Sequence, residues 1–246
     1  MSKNNEDVVE KIKSNKGKHG NFEDAKLTNE DFNNTDLSGA IFRHANLKGT
    51  SLKQARLVEA DIEEANLSKV NLERANLSGA NLKYAEISDA CLNKVNLEEA
   101  NLRGAELADS ELKASNIRQA DVSYANLHGV DLKNANLESI ESKRANLSFA
   151  NLINANLENA ELSGADFSYA KLNGALLCGA NLKRADFTGA DLTKADLQNA
   201  NLEEAELKET QLKEANLEGA ILKKANLKDA DLEGSEVDNT QLEAIE

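Results

Sequence analysis

Large apolar residues return at every fifth position along most of this chain, as in ANLSFANLINANLENAEL, residues 145–162. With each large residue taken as a centre, the centres run from Phe22 to Leu242 in 45 repeats without an insertion. Leu fills 34 centres and Phe, Ile or Val ten, Ser142 alone departs, and Ala fills 32 of the positions two residues before a centre. Both columns therefore read as interior, and the three remaining positions of each repeat as outward-facing.

A helix cannot keep such centres on one face. Five residues at about 100° each advance about 500°, so successive centres fall about 140° apart around the cylinder. A flat strand fails too, because an odd period sends alternate centres to opposite faces. A two-residue offset does place Ala and Leu on one side of a short extended segment, and a bend after each segment lets every pair point inward. Eleven of the 13 glycines, from Gly39 to Gly234, stand two residues after a centre, where a missing Cβ suits a turn. Four bends close a coil of 20 residues, and stacked coils pair their backbones at about 4.8 Å. About 11 coils then make a rod roughly 50 Å long.

The A-[N/D]-L-x-x register, running through residues 20–244, resembles the pentapeptide-repeat family. The resemblance implies an all-β fold, a right-handed quadrilateral parallel β-helix; periodicity alone leaves a triangular coil open. Residues 20–246 are expected to form one repeat domain behind a lead segment, residues 1–19. In that lead, Asn5 can cap a short helix that places Val8, Val9 and Ile12 on one side and ends near Gly17. The helix is expected to lie over the first coil as a lid, above Phe22, Phe32 and Phe42. The start GKHGNF resembles that of family members tied to cyanobacterial cell differentiation. Nothing at the far end resembles the dimerising segment of the quinolone-resistance branch. A monomer is expected, with an end-to-end dimer through the C-terminal coil as the alternative.

Composition adds little to the fold but narrows the function. The formal charge of −14 argues against nonspecific binding to nucleic acid or to an anionic membrane. No apolar run reaches the roughly 18 residues of a membrane span, and the start lacks the apolar core of a signal peptide. A cytoplasmic protein is expected. Cys91 and Cys178 lie more than four coils apart, too far for a disulfide, and are expected as free thiols. His19, His44 and His128 are dispersed, and no serine stands with a histidine and carboxylate in a triad pattern. The reading is therefore no enzyme, no metal and no cofactor.

Residues 20 apart should stack, so surface charge can be sorted by wall. The wall centred on Leu37, Leu57, Leu77 and onward carries a net charge of −8, against −2, −4 and 0 for the walls beginning at Phe22, Leu27 and Phe32. Its acids include Glu59, Glu98, Glu99, Glu138, Glu158 and Glu218, and Asn76, Asn96, Asn116, Asn136 and Asn156 line up on it as an expected amide ladder. A second candidate surface is apolar: Phe149 and Tyr169 share an outward column one coil apart, with Ile153 round the corner. Tyr84 and Tyr124 are weaker candidates on another wall. Ser142 and Ile140 read as a volume exchange between the two interior columns.

The leading expectation is a non-enzymatic scaffold for an unidentified protein partner, a basic one if the acidic wall is the contact. The alternative comes from the resemblance: some family members imitate double-stranded DNA and occupy the DNA saddle of gyrase, a type II topoisomerase. Magnitude weighs against it, because roughly 50 Å of DNA carries about 30 phosphates and this wall carries a net charge of −8.

Overall fold

The computed structural model describes residues 5–14 and 17–237. One helix, α1 (Asn5–Lys13), precedes a continuous square coil. The side chain of Asn5, the expected cap, lies outside the described part, as do Asp238 and the last repeat around Leu242.

Every residue before a centre forms a parallel bridge with the residue 20 further on, from Asn21 with Ile41 to Asn216 with Glu236. The chain thus has four walls, here numbered by their first centres: wall 1 from Phe22, wall 2 from Leu27, wall 3 from Phe32 and wall 4 from Leu37. Each wall contributes one bridged residue per coil and then turns. Centres and their alanines form one buried apolar column from Val8 and Ile12 of α1 to Leu222 and Ala225.

The repeat Ala45–Gly49 shows why this sequence makes this coil, because each of its five N–H groups has a place. Ala45 N–H closes the turn on the carbonyl of Phe42 (2.9 Å). Asn46 N–H reaches back one coil to Ala25 O (2.8 Å), while Leu47 and Gly49 reach forward to Asn66 O (2.7 Å) and Ser68 O (2.9 Å). That leaves the N–H of Lys48, which Asn46 accepts on its own Oδ1 (3.1 Å). Asn or Asp before the centre thus serves the backbone; where Ser51 stands there, Asn33 of the preceding coil accepts from Lys53 N (2.8 Å) in its place. The sequence reading had given this column only a surface role.

The turn places its third residue at φ between 52° and 70° at every repeat from His19 to Gly234. This left-handed geometry, with the bond from the fourth residue to the first, matches a type II turn and explains why the glycines collect there. Glycine has a second use at Gly189. A Cβ there would stand 2.7 Å from the ring of Tyr169, which leans over the turn of the following coil.

Interior irregularities are accommodated locally. Phe167 and Phe187 stack with ring centroids 4.9 Å apart and planes within 4°, as their shared column predicts. Ile140 and Ser142 are both buried, in agreement with a volume exchange, but Ser142 Oγ has no hydrogen-bond partner among the described residues. Where a hydroxyl replaces an alanine methyl it usually finds a carbonyl. Ser110 bonds Ile87 O (2.7 Å) and Thr210 bonds Phe187 O (2.9 Å), each one coil back.

Candidate interaction surface

The candidate surface residues face outward at two separate places, as their register implies. Glu59, Glu98, Glu99, Glu138, Glu158 and Glu218 lie on wall 4. Phe149 and Tyr169 stand at the corner between walls 2 and 3, and Ile153 is half-buried on wall 3.

The acids of wall 4 are not equivalent. Arg118, in the same outward column as Glu98 and Glu138, approaches both (3.9 and 3.2 Å). Gln198 Nε2 donates to Glu218 (2.7 Å). Glu59, Glu99, Glu158 and Asp196 have no ion pair among the described residues. Walls 1 and 3 carry more such pairs of cation and acid one coil apart: Lys183 with Glu203 (2.6 Å), Arg184 with Glu204 (2.6 Å), Lys53 with Glu73 (3.3 Å). The amide ladder on wall 4 is shorter than the sequence implies. Asn96 and Asn116 donate to Asn76 and Asn96 (3.3 and 3.0 Å). Among the described residues, Asn136 and Asn156 only serve their own turns, accepting from Glu138 N (3.1 Å) and Glu158 N (2.9 Å), a bond that Asn76, Asn96 and Asn116 make as well.

Cys178 also faces outward on wall 4, between Glu158 and Gln198. Burial pushes its thiol up, and the charges of Asp196 and Glu158 push it further the same way. Leu176, before the same centre, is exposed where an Asn or Asp would cap the turn. Sequence reasoning passed over it, although an aliphatic residue in that column was the available signal.

The aromatic corner is more extended than its two predicted members. Phe149 and Tyr169 stack with centroids 5.2 Å apart and are 57% and 53% exposed. His128 adds its ring edge to Phe149 at 5.4 Å and is held by Ser148 Oγ at Nδ1 (2.9 Å). The sequence reading had treated His128 as an isolated surface residue. Tyr84 and Tyr124, by contrast, are covered by cations: Lys83 Nζ lies 4.9 Å from one ring and the Arg103 guanidinium 4.6 Å from the other. Among the described residues no group of His, Cys, Asp and Glu is placed to hold a metal ion.

A family model for pentapeptide repeats matches residues 90–123, 100–138, 143–177, 170–208 and 205–244, and a model for a pentapeptide repeat region matches residues 18–102. No curated protein sequence matches. Among solved structures, HetL of the cyanobacterium Nostoc sp. strain PCC 7120, a pentapeptide repeat protein involved in heterocyst differentiation regulation, is 35% identical over 93% of this chain and 94% of that one, with a TM-score of 0.48. Full-length QnrB1, a plasmid-mediated fluoroquinolone resistance protein, is 19% identical over 91% and 96% of the two chains, with a TM-score of 0.47. Rfr23 of the cyanobacterium Cyanothece 51142 is 34% identical over 48% and 88%, with a TM-score of 0.30. With family models matching nearly all of the repeats and the backbone winding as their period requires, the chain belongs to the pentapeptide-repeat family, whose fold is the right-handed quadrilateral β-helix.

Proposed function

We propose that this protein is a rigid, non-enzymatic scaffold that binds another protein through the aromatic corner at Phe149 and Tyr169. The observation that carries this reading is a stacked pair of rings, each more than half exposed, with no cation laid over it among the described residues. Aromatic side chains offer large contact area at low cost in conformational entropy, and they anchor interfaces. The involvement of HetL in regulating differentiation supports a regulatory contact as the purpose of such a surface. Affinity capture with mass spectrometry tests it. A Phe149→Ser, Tyr169→Ser double variant should lose a partner that the parent retains. Its melting temperature should change little, since exposed substitutions cost within about 0.5 kcal/mol. Identical partner sets would remove the corner as the contact.

A second reading, regulation of a type II topoisomerase by DNA mimicry, is favoured by the unpaired acids of wall 4. Supercoiling by purified gyrase distinguishes it. Inhibition or protection at micromolar protein that is lost in a Glu99→Lys, Glu158→Lys variant supports it, and unchanged supercoiling eliminates it.

A further inference from the structure

The first coil carries an open rung of the backbone ladder. In later coils the residue before a centre sends its N–H back one coil, as Asn46 does to Ala25 O (2.8 Å) and Asn66 to Ala45 O (2.9 Å). Two carbonyls complete the rung: Asn46 O accepts from Leu27 (2.7 Å) and Lys48 O from Asn29 (3.0 Å). Lys26 and Thr28 hold the same two positions on the first coil, where no coil precedes them. Among the described residues the N–H and C=O of Lys26 and the C=O of Thr28 have no backbone partner.

Helix α1 covers the core at this end without closing that rung. Between them lies a cavity of about 500 Å³, bounded by Val9, Glu10 and Lys13 of α1 and by Lys26, Thr28 and Glu30 of the coil. Its volume falls within the usual range for ligand clefts. Val9, packed on the core, supplies an apolar patch. Lys13 is tied to Glu30 at 2.8 Å, whereas Glu6 and Glu10 have no ion pair among the described residues.

We propose that this cleft captures a short extended peptide, which adds to the first coil as one further parallel rung. The ladder fixes its orientation. One peptide carbonyl accepts from Lys26 N–H, and two peptide N–H groups, two residues apart, donate to the carbonyls of Lys26 and Thr28. The residue bearing that carbonyl is small, as Ala25 is in the rung that follows, and the residue two further on is apolar and meets Val9. A basic residue between or beside them is favoured by Glu6 and Glu10. The ligand class is thus small–x–apolar main chain recognised by strand addition, and the site is independent of the aromatic corner.

The test is a titration of acetyl-AKLTNE-amide, the sequence of residues 25–30, into the ¹⁵N-labelled full chain. Saturable shifts are expected at the amides of Lys26, Thr28 and Val9. Lys26→Pro deletes an N–H that no described protein group uses, and an edge position tolerates proline. It should weaken binding about fivefold or more at an unchanged melting temperature. Methylating the peptide nitrogen of leucine, which removes the donor to Lys26 O, should abolish binding to the parent chain. If Lys26→Pro does not fold, the methylated peptide decides alone. Absence of saturable shifts at millimolar peptide overturns the proposal, as does binding that survives methylation.

Discussion

Ala114 holds a left-handed backbone at φ 52° with neither the freedom of glycine nor a polar side chain to bond locally. The left-handed region costs an L-residue roughly 1–2 kcal/mol, and glycine gives back part of that through its looser unfolded chain. Ala114→Gly should therefore stabilise the protein by about 0.5–1 kcal/mol, read as a higher urea midpoint at unchanged slope. A lower midpoint would show that this turn is not strained. The same conformation recurs at all the other turns, at Tyr84, Phe149 and Tyr169 among them. These aromatic rings are thus held out on turns, where their side chains lean along the stack.

At the scale of the single coil, Ile140 and Ser142 act as a pair. Both point inward from one segment, and a large residue in the alanine column accompanies a small one in the leucine column. Ile140→Ala alone should open a cavity and cost about 2–4 kcal/mol. Ser142→Leu alone should overpack the bore and cost about 1–3 kcal/mol. The double variant, which restores the consensus, should cost far less than the sum, because each change fills or vacates the space of the other. Additive losses in urea unfolding would mean that the two side chains do not share volume. Ser142 Oγ, buried and unpartnered, is a further reason for the double variant to gain.

For the whole molecule, contacts run only to the coil above and the coil below, so stability is a sum of neighbour terms and charge must be balanced wall by wall. Ion pairs one coil apart do this on walls 1 and 3. The hydrogen bond from Lys183 holds the Glu203 carboxyl below its ordinary value, that from Arg184 does the same for Glu204, and the Ser38 hydroxyl and N–H do so for Asp36. A carboxyl depressed in the folded state contributes stability above its unfolded value and loses it as pH falls through the folded one. The urea midpoint should stay level from about pH 7 to 5 and fall below about pH 4. A midpoint that stays level below about pH 4 would mean that these hydrogen bonds do not hold the carboxyls down.

The five-residue period settled most of this. It required a coil, assigned Leu and Ala to the bore and put glycine at the turn, because backbone geometry repeats whenever the interior pattern does; the alignment of residues 20 apart came from the square section that the family resemblance implied. The acidic wall and the Phe149–Tyr169 column follow from counting in that register. What only the tertiary structure decided are the choices made by side chains between coils. Arg118 takes Glu98 and Glu138 while Glu99 and Glu158 have no ion pair among the described residues, His128 makes an edge contact with Phe149, and Asn96 donates to Asn76 where Asn136 donates to no such neighbour among the described residues. The groove beneath α1 belongs to the same class. A column specifies which residues are neighbours, but rotamer, lean and competition among nearby donors determine which neighbours bond, and those depend on coordinates in space.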